Sequence, residues 1–173
     1  MNGEIRLFDK IGKNSNCKYP GFGDPILHLD STKDGKWLLA TCKNYLILLP
    51  TETEDDVSLY QNKIQVKERP SPIKLRVKME HLQMCKVKEI NMIPAKFEER
   101  KNGKERFIVS GFGNMVVIWN LAKVIQGNSD SYKFTSIEGD LVQTDFMFDN
   151  AKKLLMTTTN GITIKENKVK SNE

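Results

Sequence analysis

One unit recurs along this sequence and narrows the possible folds: two apolar runs of strand length joined by a tight turn. Asp34-Gly35 leads into Lys36-Trp37-Leu38-Leu39-Ala40-Thr41-Cys42, and Lys43-Asn44 turns the chain into Tyr45-Leu46-Ile47-Leu48-Leu49. The unit returns as Arg106-Phe107-Ile108-Val109-Ser110, turn Gly111 to Asn114, then Met115-Val116-Val117-Ile118-Trp119. A third copy is Lys153-Leu154-Leu155-Met156-Thr157-Thr158, turn Thr159-Asn160-Gly161, then Ile162-Thr163-Ile164, and Gly3 to Asp9 is half a copy. Short β-rich runs bounded by Gly, Asn and Asp are strand and hairpin signals.

Each unit follows a further strand-like segment, Pro25 to Asp30, Glu89 to Phe97 or Leu141 to Phe148, and a weaker one comes after, at Ile11 to Tyr19, Ile73 to Met79 and Tyr132 to Ile137. Equivalent positions Phe8, Leu49, Trp119 and Ile164 are 41, 70 and 45 residues apart. Two of these intervals match the roughly 40–45-residue period of a four-stranded propeller blade. The long one contains two polar stretches, 51–72 and 98–104, which read as surface insertions. The sequence therefore predicts an all-β fold, a partial WD40-like β-propeller of roughly three four-stranded antiparallel blades over 1–165, with a polar tail at 166–173. It expects the outer two strands of one blade, two whole blades, and three strands of a last one. No sustained helical period is present; Ala122 to Ile125 reads as at most one turn, ended by Gly127.

Composition excludes several classes. No run of eighteen apolar residues suggests a membrane span, and the first residues have no leader pattern, so a cytoplasmic location is expected. Cys17, Cys42 and Cys85 are far apart and read as free thiols. Asp24, Asp30, Asp34, Asp145 and Asp149 fall at strand ends and turns, without the alternation of a Ca²⁺ loop. His28 and His81 have no Ser or Cys partner in a recognisable arrangement, His28 reading as a strand residue and His81 as part of a polar connection. Gly21-x-Gly23 and Gly111-x-Gly113 open no helix and read as turns. No cofactor, no metal and no enzymatic activity are expected.

Several of these segments resemble a known family. Gly3 to Lys10, Gly21-Phe22-Gly23-Asp24-Pro25-Ile26, Asp34 to Lys43 and Pro94-Ala95-Lys96-Phe97 are similar, in order, to the carboxy-terminal propeller of the vacuolar import and degradation protein 27 family. Val116-Val117-Ile118-Trp119-Asn120 with Val124 and Gly127 looks like the next element; the third repeat and Lys63 to Lys88 match loosely. The resemblance implies a WD-like protein associated with delivery of proteins for vacuolar degradation, acting by binding. Trp119-Asn120 stands where a WD repeat has Trp-Asp, so a charged network at that dipeptide is not expected.

Two binding modes follow. In a blade with strands in chain order, the connections into the first strand and between the middle strands share one face. That face places Phe22, Lys43, Asn44, His81, Phe112, Asn114 and Asn160 as candidate protein-binding residues of a non-catalytic scaffold. Open blade edges also predict self-association, or pairing with blades absent from this stretch. The alternative is an electrostatic binder of nucleic acid or anionic lipid. Of a net charge of +5, residues 63–104 carry twelve Lys/Arg against five Asp/Glu. Residues 69–88 offer no Phe, Tyr or Trp for base stacking, so specific nucleic-acid recognition is not expected.

Overall fold

A strand whose side chains alternate between two neighbours, both of which bury them, reads as a continuous apolar run. Leu46 to Leu49 is such a run, and it explains how the chain packs. The structure, a computed structural model, describes residues 3–10, 13, 15–84, 87, 89–98, 105–147 and 153–166. Its strands form four antiparallel sheets. The first pairs β1 (Ile5–Leu7) with β2 (Cys17–Tyr19). The second runs β3 (Ile26–Ser31), β4 (Trp37–Cys42), β5 (Leu46–Pro50) and β6 (Ile73–Leu75). The third runs β7 (Lys96–Phe97), β8 (Phe107–Phe112), β9 (Met115–Asn120) and β10 (Tyr132–Ser136). The fourth is β11 (Leu141–Met147), β12 (Lys153–Thr158) and β13 (Gly161–Glu166). Every sheet is a meander, with two, four, four and three strands as the repeat predicts.

The sheets are joined by three separate cores, and the period of two decides which residue enters which. On β5, Ile47 and Leu49 join Ile5, Leu7, Cys17 and Tyr19 of the first sheet, whereas Leu46 and Leu48 join Ile108, Met115, Val117 and Trp119 of the third. On β9, Val116 turns the other way to meet Leu141, Leu154 and Met156 of the fourth. Each central sheet is thus clamped between two others, side by side, with no sheet serving as a single shared lid. Where a neighbour is lacking, apolar residues stay in water. On β3, Leu27 and Leu29 are 60% and 52% exposed beside a first sheet of two strands, and on β13, Ile162 and Ile164 are 73% and 52% exposed.

Gly111 lies where the third and fourth sheets come close: a Cβ there would overlap Leu141 Cδ2 of the fourth and the Met115 carbonyl oxygen of its own hairpin. The turn at Lys33-Asp34-Gly35 is closed by side chains, with Thr32 Oγ1 donating to Asp34 Oδ1 (2.6 Å) and Gly35 at φ 72°. Among the described residues there are two short α-helices, besides a single 3-10 turn at Val66–Glu68. The second, α2 (Leu121–Ile125), is capped by Asn120, whose side chain accepts from Lys123 N (3.0 Å), and Gly127 follows it at φ 95°. The first, α1 (Met79–Met84), places His81 on a helix within the polar connection between β6 and β7. It escapes a pattern search because Leu82 is its one buried residue. No helix among the described residues is long and apolar enough to cross a membrane.

Other details also differ. The segment read as a strand from Glu89 to Phe97 is a strand only at Lys96–Phe97, because Met92, Ile93 and Ala95 give their amides to single acceptors on different elements, Lys43 O, Gly111 O and Thr41 Oγ1, instead of a ladder. The 51–72 stretch is anchored: Leu59 is fully buried in the first core, and Arg69 donates to the carbonyls of Ile64 and Lys18. Of the 98–104 stretch only Glu98 is among the described residues, and its side chain is fully buried. Cys85, Phe148, Asp149, Asn150 and 167–173 lie outside the described residues.

Candidate interaction face

The middle-strand turns and the connections between sheets meet on one face and are bonded into a belt. Met92 N donates to Lys43 O (2.8 Å), Ile93 N to Gly111 O (2.9 Å), and Ser110 Oγ to Ile93 O (2.8 Å). Further along, Ile137 N donates to Asn114 O (2.9 Å), Leu141 N to Gly113 O (2.6 Å), and Thr159 N to Asp140 O (2.9 Å). Ala95 N donates to Thr41 Oγ1 (2.9 Å), and Tyr45 Oη to Phe22 O (2.8 Å). Backbone bonds of this kind satisfy buried polar groups and hold each turn against the next sheet, so side chains at the tips are presented on a fixed frame.

Four of the seven expected residues, Lys43, Asn44, Asn114 and Asn160, are exposed at these tips. Phe22 is half-buried and contributes its carbonyl to Tyr45. Phe112 needs correction: its ring is 2% exposed and lies within the core between the second and third sheets, so it supports the turn from below and meets no partner. His81 lies at the rim on α1, with Nδ1 2.7 Å from Tyr132 Oη and its ring 5.0 Å from Phe134. Lys43 is neutralised by Glu89 (2.8 Å), a hydrogen bond that holds the Lys43 ammonium above and the Glu89 carboxyl below their usual ranges.

Carboxylates elsewhere tie blades together. Asp30 Oδ2 accepts from Phe97 N (2.8 Å) and Glu105 Oε1 from Lys33 N (2.8 Å), both between the second and third sheets, whereas buried Glu98 Oε2 accepts from Arg106 N (2.9 Å) within the third. Asp30 thus links the second sheet to the third, which a turn reading of that residue did not foresee. Trp119 is fully buried, its Nε1 has no hydrogen-bond partner among the described residues, and Asn120 caps α2, so the dipeptide supports packing and not a charge network.

Among the described residues, the basic stretch does not form one cationic surface. Lys78 pairs with Asp130 (3.1 Å), Arg69 is committed to backbone carbonyls, and Lys96 has a partner. A groove of about 530 Å³ in the 51–72 insertion is lined by Glu54, Asp55 and Glu68 as well as Lys67 and Arg69. The expected anionic polymer or lipid binder gains no support from this mixture. Among the described residues, no group of three or more His, Cys, Asp or Glu gathers as a metal would require.

Four-stranded meanders packed side by side, with strands buried on both faces and turns gathered on one, define a WD40-like β-propeller segment. Solved structures agree: the β-propeller domain of Cps50 (Swd1) from Myceliophthora thermophila matches with a TM-score of 0.52 over 83% of this chain and 36% of that one, at 11% identity. Residues 1–172 match the model of the VID27 C-terminal WD40-like domain, and the chain belongs to that family. It is 31% identical over 168 residues to vacuolar import and degradation protein 27 of Schizosaccharomyces pombe, covering 92% of this chain and 21% of the relative. The Saccharomyces cerevisiae protein of the same name is 26% identical over 179 residues, covering 98% and 23%. The chain therefore spans between a fifth and a quarter of the length of these relatives.

Proposed function

We propose that this chain is a non-catalytic platform for protein binding, working in the cytoplasm in the delivery of proteins for vacuolar degradation. The observation that carries the reading is the belt of bonded turns. It presents Lys43, Asn44, Asn114 and Asn160 on rigid hairpins, and the names of the relatives supply the process. Phe22 and His81 flank this set, Phe22 below the Lys43 turn and His81 at the rim. The combined variant Lys43→Glu, Asn44→Ala, Asn114→Ala and Asn160→Ala is expected to lose a purified partner, first identified by capture and mass spectrometry, at an unchanged unfolding temperature. Retention of that partner would refute the face assignment.

The reading extends to the ends of the arc. Leu27, Leu29, Ile162 and Ile164 form apolar faces beside incomplete sheets, and β13 has a free edge among the described residues. Such edges and faces pair with further blades or with a second copy. By sedimentation velocity the chain is expected to associate, and Ile162→Lys with Ile164→Lys to weaken that association. A wild-type chain that stays monomeric at micromolar concentration would overturn this part.

A further inference from the structure

We propose that Lys74 and Arg76, side by side on the outer edge of the second sheet, are a docking point for an acidic peptide segment of a partner protein. This deepens the platform reading and rests on it. On β6 the register sets Leu75 opposite Leu46 and Lys74 opposite Ile47, so positions 74 and 76 share the side on which Ile47 and Tyr45 lie. Lys74 Nζ sits 3.5 Å from the centroid of the Tyr45 ring, and Arg76 Cζ 5.4 Å from it. The ring is 3% exposed, and its hydroxyl is fixed on Phe22 O. One immobile aromatic ring thus holds two cations.

What separates these two from the other described basic residues is that both lie over one buried ring while neither has a counter-charge. Lys18, Lys36, Lys43 and Lys78 each have a carboxylate oxygen within 3.3 Å. Lys74 and Arg76 have no described carboxylate within ion-pair distance; Asp24 acts on Lys74 only from farther away. Burial, first, and then like-charge repulsion from Arg76 hold the Lys74 ammonium below its usual range. An incoming carboxylate relieves that repulsion.

The surroundings select the kind of anion. Tyr45 presents no free face for a base to stack on, and stacking is what single-stranded nucleic acid needs beyond phosphate contact. A membrane surface needs several unpaired cations in one plane, whereas the flanking Lys43 and Lys78 are already paired. Half-buried Phe22 and exposed Asn44 adjoin the Tyr45 ring and offer an apolar contact and an amide, which suits an extended peptide carrying Asp or Glu.

The test is fluorescence anisotropy of a labelled hexaglutamate peptide titrated with the chain, with hexaglutamine, oligothymidylate and phosphatidylserine vesicles as comparison probes. Hexaglutamate is expected to bind and hexaglutamine not. Lys74→Met with Arg76→Met, which keeps unbranched stems beside Tyr45, should weaken binding about tenfold, and Lys63→Met with Lys67→Met less than about twofold. Arg76→Gln alone carries the test if the first pair lowers the unfolding midpoint. Equal losses from both pairs, no loss from the first, or tighter binding of oligothymidylate or vesicles would overturn the proposal. If hexaglutamate fails while the variant at Lys43, Asn44, Asn114 and Asn160 still loses its protein partner, the platform stands and the acidic-peptide assignment falls.

Discussion

Leu48→Ala probes the side-by-side arrangement in energetic terms. Leu48 is fully buried and belongs to the core between the second and third sheets, while its neighbour Ile47, 1% exposed, belongs to the core between the first and second. The substitution removes three carbons, about 2.4 kcal/mol at about 0.8 kcal/mol each. The cavity left in a close-packed interface raises the expected loss to roughly 3–5 kcal/mol. For a chain of this size that lowers Tm by roughly 6–20 °C. The informative quantity is the coupling, measured by urea unfolding followed through Trp37 and Trp119 fluorescence. Leu48→Ala with Val117→Ala, in the same core, should depart from additivity by about 0.5–3 kcal/mol. With Leu7→Ala, in the other core, it should add to within about 0.5 kcal/mol. Ile47→Ala should show the reverse preference. Coupling of Leu48 to Leu7, or equal coupling to both, would refute the assignment of alternate residues to separate interfaces.

Other expectations concern close packing and titration. Gly111→Ala should destabilise by more than about 2 kcal/mol in the same unfolding assay, since the added Cβ would overlap the backbone carbonyl oxygen of Met115, which cannot turn aside as a side chain can. Burial pushes the thiols of Cys17 and Cys42 and the phenols of Tyr19, Tyr45, Tyr60 and Tyr132 up. The unfolded chain then releases these protons first, so stability should fall as pH rises past about 8.5 and more steeply past about 10. A urea midpoint that stays level from pH 8 to pH 11 would contradict this. Cys17 and Cys42, 1% and 0% exposed, should stay unlabelled by a thiol reagent in the native chain and react only in denaturant, as peptide mass spectrometry would show.

The repeat was legible because its middle strands are buried on both sides. Runs such as Leu46-Ile47-Leu48-Leu49 and Met115-Val116-Val117-Ile118 cannot sit at a solvated surface, and their turns carry Gly or Asn where the backbone reverses. Elements stabilised by tertiary contacts were less visible. Helix α1 buries Leu82 alone and so leaves no period, and Met92, Ile93 and Ala95 look like strand but give their amides singly to Lys43 O, Gly111 O and Thr41 Oγ1. The candidate face was readable at the polar turn tips. It was not readable at Phe112, because a residue beside a turn can point into either side of its sheet. Lys74 and Arg76 were hidden within a long basic run, and only the register of β6 against β5 sets them beside Tyr45.

The central claim is that neighbouring residues on one strand serve different blades. Methyl NOE spectroscopy on the isotope-labelled chain tests it most directly at Val116 and Val117. The account predicts cross-peaks from Val116 to the Leu141, Leu154 and Met156 group, and from Val117 to the core holding Leu46 and Leu48. Cross-peaks from both valines to the same group would contradict it.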